Sequence, residues 1–102
     1  MSEQPATSPG ASPTLDDLRE RIDSVDRRMV ELIAERQDLV IAAGALKRDE
    51  DAVRAPVRVE QVIAKVRSLA QDAGASPDVV ERTYRALIAA FIDLELERHR
   101  AG

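Results

Sequence analysis

From Leu15 onward, apolar residues recur at alternating spacings of three and four. One seam position holds Leu15, Ile22, Met29, Arg36 and Ala43; the other holds Leu18, Val25, Leu32, Leu39 and Leu46. Every one of these positions except Arg36 is apolar. No Pro or Gly interrupts the run before Gly44, so the pattern predicts a single helix from about residue 15 to 48. Thr14 followed by Asp17 gives a capping-box-like start, with Asp16 and Asp17 suited to the positive helix end. The segment RDEDAVRAP, residues 48–56, reads as a charged loop ending at Pro56, a residue that fits the first turn of a new helix. Val59, Val62, Ile63, Val66, Leu69 and Ala73 then mark a second amphipathic helix, which Gly74 stops. Ser76-Pro77-Asp78 is a strong helix start, and a third helix carries Val80, Tyr84, Leu87, Ile88, Phe91 and Leu94 on one face to about residue 99. There are no strand patterns and no internal repeats. The expected class is all-α, with three helices per chain and one long N-terminal helix.

The length of that first helix bears on assembly. At 1.5 Å per residue it would be about 50 Å long, whereas a compact 100-residue domain has a radius of gyration of about 13 Å. The remaining chain cannot cover such a rod, so a homodimer is expected to cover its apolar seam.

Composition narrows the class further. A chain of 102 residues holds one domain at most, and an aromatic content of 2 % with sparse glycine favours helix over sheet. There is no cysteine, hence no disulfide framework and no thiolate metal site, which fits a reducing interior. A net charge of −4 means the chain as a whole is not an obvious nucleic-acid binder, so an anion site has to come from local placement of Arg and Lys. The opening MSEQPATSPGASP lacks a basic start and an apolar run, so it is not expected to be a secretory signal. Residues 1–13 are rich in Ser, Pro, Ala and Gly and are expected to be a disordered tail, followed by a helical domain over 14–102. No segment approaches the length of a membrane span, and a soluble cytoplasmic protein is expected.

Two cations stand out on the apolar face. Arg36 and Lys47 are eleven residues apart, which leaves them about 20° apart around the helix and about 16 Å apart along it. Between them lie Val40, Ala43 and Gly44, all short, which suggests a hollow with a cation at each end for a small dianion. Alternatively, Arg36 fixes the register of a dimer seam and Lys47 snorkels at the helix end. Arg19 lies about 25 Å before Arg36 and is rotated by about 100°, so it cannot serve the same hollow within one chain. In an antiparallel dimer it can reach the other chain's hollow; on its own it is an ordinary solvated arginine.

Glu95 is the matching anomaly on the third helix, on the stripe of Tyr84, Ile88 and Phe91. A buried acid needs partners or must be neutral, and one reading makes Glu95 the partner of Arg36 or Lys47 in a purely structural ion pair. His99 is expected to be a surface residue favoured by the helix dipole rather than a ligand. No cluster has metal-ligand spacing, no Ser or Cys shows a nucleophile arrangement, and no Gly-rich phosphate loop is present; no metal or cofactor is expected.

These pieces, in this order, resemble the all-helical chorismate mutase family: LRERID at 18–23, AERQDLV at 34–40, GALK at 44–47, Pro-x-Arg at 56–58 and TYRALIAAFIDLELE at 83–97. The resemblance covers about 85 residues, and its specificity lies in the order and spacing of the motifs. It implies an intertwined homodimer with two equivalent sites that take a small dicarboxylate, chorismate or isochorismate, with no nucleic-acid or membrane partner. It also implies that Arg36 and Lys47 are the site's own-chain cations, that the partner's Arg19 completes the clamp, and that Arg58 is a further substrate-binding candidate. Two departures mark this chain. Glu95 stands where many members have Gln, and Val57 stands where mutases usually have a Glu that contacts the substrate's ring hydroxyl. The short segment from Lys47 to Arg58, with its Ala55-Pro56, is similar to isochorismate pyruvate lyases, which share the fold and the cations.

Rearrangement of chorismate to prephenate is pericyclic and requires no nucleophile, metal or general base. On that reading the catalytic residues are Lys47, Glu95 and Arg36. The alternatives are isochorismate pyruvate lyase, a mutase acting on an amino-substituted chorismate, and a non-catalytic helical dimer.

Overall fold

The computed structural model describes residues 12–102. Residues 1–11, most of the expected tail, lie outside the described residues, and residues 12–14 precede the first helix without regular structure. Four helices follow: α1 (Leu15–Gly44), α2 (Glu50–Arg54), α3 (Pro56–Ala73) and α4 (Pro77–Ala101). There is no strand among the described residues, so the class is all-α, with three long helices and one short one. Among the described residues no helix is long and apolar enough to cross a membrane.

The chain divides into two units, one running to Arg36 and the other from Gln37 to Gly102. Within the first, the helix begins at a reciprocal cap. The Thr14 N–H donates to Asp17 Oδ2 at 2.9 Å, and the Asp17 N–H donates to Thr14 Oγ1 at 3.1 Å. Along this unit Leu15, Leu18, Ile22, Val25, Met29 and Leu32 are all exposed. The heptad seam is regular and bare.

The second unit opens with the end of α1, which stops at Gly44 rather than near residue 48. There the ladder tightens: the Leu46 N–H donates to the Ala43 carbonyl at 3.0 Å and the Lys47 N–H to the Gly44 carbonyl at 3.1 Å. These shorter-range bonds end the helix even though Leu46 continues the apolar spacing. The expected loop 48–56 contains α2, capped by Asp49, whose Oδ1 accepts from the Ala52 N–H at 2.9 Å. Ala55 joins α2 to α3 with φ 38° and ψ 60°, a left-handed conformation that costs a residue with a Cβ about 1–2 kcal/mol.

Helices α3 and α4 pack against each other across the short turn at Gly74, and α2 packs on α4. Their core is Val53, Ile63, Val66, Ala70, Ile88, Phe91 and Leu96. On α3 the buried stripe runs through Ile63, Val66 and Ala70, while Leu69 and Ala73, expected on that face, are exposed. On α4 the expected stripe holds: Tyr84 is half-buried and Ile88, Phe91 and Glu95 are buried. Ser76 caps α4 by accepting from the Val79 N–H, with Pro77 in the first turn.

Candidate active site

The site grows from one buried carboxylate. Glu95 is 6 % exposed, the only buried charged residue among those described, and a bare charge there would be costly. Its Oε2 accepts from Lys47 Nζ at 3.0 Å, and Lys47 is 27 % exposed. The pair is charge-assisted and asymmetric: the acid is dry, and the ammonium keeps a route to solvent. Lys47 has three N–H donors, so an ammonium bound to Glu95 retains capacity for a second acceptor.

Gly44 makes this approach possible. A Cβ at that position would stand 2.8 Å from Glu95 Oε2 and 3.4 Å from its Cγ and Cδ. The helix end therefore needs a residue with no side chain where α4 presses the carboxyl against it. One helical turn beyond Glu95, His99 is half-buried, and its Nε2 lies 3.0 Å from the Lys47 carbonyl oxygen. A carbonyl oxygen only accepts, so Nε2 carries the proton.

Beside the pair lies a cavity of about 330 Å³ lined by Ile41, Gly44, Ala45, Glu95, Arg98, His99 and Gly102. That volume is at the lower end of the range of about 300–1,000 Å³ for small-molecule sites. It differs from the expected hollow. Ile41 and Gly44 lie on one face of α1 with Ala45 just past its end, whereas Val40 and Ala43 lie on the neighbouring face and Lys47 follows beyond the helix. Gly44 belongs to both descriptions, and the Glu95 side chain walls the cavity while its Oε2 reaches Lys47.

Of the residues nominated from sequence, Lys47 and Glu95 are brought together, which is one of the two ion pairs the sequence offered for Glu95. Arg58 is exposed in the first turn of α3. Arg36 is half-buried and Arg19 is exposed; both belong to the first unit. His99 corrects an expectation: it is no mere surface residue but a partner of the Lys47 backbone. Its spacing of four from Glu95 was the available signal, because it puts both residues on one face. Arg98, Ile41 and Ala45 on the cavity wall carried no such signal.

Among the described residues no group of His, Asp and Glu could hold a metal ion. The arrangement is suited to holding an anion or a polarised oxygen near an ammonium, in a place partly shielded from water.

Comparison with known proteins points the same way. The family model described as Chorismate mutase type II matches residues 18–96. An isochorismate pyruvate lyase of Pseudomonas aeruginosa is 31% identical over 86 residues, 84% of this chain and 85% of the relative. A 4-amino-4-deoxychorismate mutase of Streptomyces pristinaespiralis is 33% identical over 100 residues, 96% of this chain and 78% of the relative. The T-protein of Haemophilus influenzae is 38% identical over 72 residues, 70% of this chain but 19% of that longer protein. With the matched region running from the first turns of α1 to the buried Glu95–Leu96 of α4, the chain belongs to the chorismate mutase type II family.

Proposed function

We propose that the protein is a chorismate mutase that converts chorismate to prephenate, working as a cytoplasmic homodimer without a cofactor. The observation that carries this reading is the Lys47–Glu95 pair, 3.0 Å apart with the acid buried. A pericyclic rearrangement asks for no nucleophile. It asks that a flexible dianion be held in a near-attack conformer and that charge on the breaking ether oxygen be met by a donor. Lys47 supplies that donor. Arg36 and the partner's Arg19 clamp the two carboxylates, and Arg58 contributes a further cation. Glu95 faces the same ether oxygen: ionised it opposes the substrate, and protonated it donates a second hydrogen bond.

The homodimer is supported by the bare seam of α1, which a single chain leaves in water along Leu15, Leu18, Ile22, Val25, Met29 and Leu32. An apolar stripe of that length stabilises a helix only when another surface covers it.

A second reading, isochorismate pyruvate lyase, is favoured by Val57 and the short Lys47–Arg58 segment, together with the likeness to the Pseudomonas aeruginosa lyase. One assay separates the two. Purified protein is incubated with chorismate and, separately, with isochorismate. Prephenate from the first supports the mutase; salicylate and pyruvate from the second support the lyase. Turnover of neither leaves a mutase of an amino-substituted chorismate or the non-catalytic helical dimer as the better account.

A further inference from the structure

Helix α4 holds the segment after α1 at three points within two turns. Glu95 takes the Lys47 ammonium at 3.0 Å, and His99 Nε2 lies 3.0 Å from the Lys47 carbonyl oxygen. Arg100 then donates from Nε and Nη2 to the two carboxylate oxygens of Glu50 at 3.0 and 3.1 Å. Lys47 sits beyond the last turn of α1, between exposed Leu46 and Arg48, so apolar burial does little to fix its backbone. A four-carbon side chain on a loose backbone delivers its ammonium poorly, because each extra conformer dilutes the productive one.

We propose that His99 is a positioning residue for Lys47. Its N–H fixes the Lys47 carbonyl while Glu95, one turn earlier on the same helix, fixes the ammonium. Lysine is thereby gripped at both ends, and its Nζ has one place to be. The neutral Nε2–H tautomer and the imidazolium both donate from Nε2, so the grip survives a change of ring charge. The catalytic consequence rests on the chorismate reading above; the two-point grip does not.

The test uses the full chain as wild type, His99→Leu and His99→Gln. Leucine keeps an apolar side chain but removes the donor, and glutamine restores an N–H donor on a side chain of similar reach. Steady-state kinetics on whichever of chorismate or isochorismate the wild type turns over should show kcat lowered about tenfold in His99→Leu, with KM changed less than about twofold and most of the loss rescued by His99→Gln. A purely structural bond predicts equal kcat in all three folded proteins, and that result overturns the proposal. Nuclear magnetic resonance reads the grip independently of activity. It should show a proton on Nε2, and a Lys47 carbonyl signal that shifts in His99→Leu but returns in His99→Gln. A proton on Nδ1 alone in the wild type overturns the proposal even if His99→Leu fails to fold, and so does an unmoved carbonyl signal in the folded variant. A wild type inactive on both substrates overturns the functional reading instead, and the resonance measurement still decides the grip.

Discussion

The α-carbon of Gly44 and the carboxylate of Glu95 are so close that a methyl group at position 44 would stand 2.8 Å from Oε2, the oxygen that receives the Lys47 ammonium. Alanine is a better helix residue than glycine by about 1 kcal/mol. The clash falls on the far end of a flexible side chain, which can swing away. Gly44→Ala is therefore expected to stay folded, with a Tm within a few degrees of wild type, while displacing Glu95 and freeing Lys47. Activity should fall about tenfold or more. Thermal unfolding and kinetics on the same preparation check both halves, and an active, unperturbed variant would contradict the placement of Glu95.

Removing the lysine separates chemistry from stability. Lys47→Ala strands a buried carboxylate, which should cost about 1–3 kcal/mol, less than a fully buried pair because Lys47 is 27 % exposed. Adding Glu95→Gln removes the stranded charge and should recover most of that loss. Turnover should drop about 10²–10³-fold in Lys47→Ala and stay low in the double variant. Denaturant melts and initial rates on the four proteins of this cycle give the answer; recovery of both properties together would make the pair structural only.

Much of the architecture was legible because it follows from spacing and caps. Thr14 and Asp17 marked the first helix, and Ser76-Pro77 the last. Gly44 was harder to read, because Leu46 continues the heptad past the point where the backbone tightens into shorter-range bonds. The charged stretch 48–56 hid α2, since five residues carry too little periodicity to announce a helix; Asp49 was its one readable signal. Within the site, sequence showed that Glu95 was misplaced on an apolar stripe and limited its partner to Arg36 or Lys47. Choosing between them needs a contact across 48 positions of chain, which only the tertiary fold supplies. His99 was missed for the same reason, since its acceptor is a backbone carbonyl that composition cannot reveal.

Acid should weaken the helical unit through its surface pairs. Hydrogen bonds from Arg100 hold the Glu50 carboxyl below its ordinary value of 4.5, those from Arg85 do the same for Glu60, and Arg85 then Arg67 do so for Glu81. Near and below that value the folded chain binds fewer protons than the unfolded one. The pairs therefore support the fold above about pH 4.5 and lose their contribution as pH falls through the lowered values. Thermal melts between pH 7 and pH 3 should show a falling Tm, with a shallower fall in Arg85→Leu, which removes the partner shared by Glu60 and Glu81. Because these groups are at the surface, added salt should reduce the difference between the two proteins.

The bare seam of α1 makes the strongest demand. Leu32 is 63 % exposed, Leu39 64 % and Leu46 85 %, and a lone amphipathic helix gains little stability in water without a covering surface. If a second chain covers the seam, folding and association are one process, and stability must depend on protein concentration. Sedimentation at micromolar concentration should therefore give twice the chain mass, and Tm should rise on concentration. Leu32→Glu places a charge in the middle of the seam. It should lower helicity along with association, because a partnerless α1 has nothing to pack on. A folded, helical single chain at micromolar dilution, in either protein, would remove the dimer and with it the partner's Arg19 from the proposed clamp.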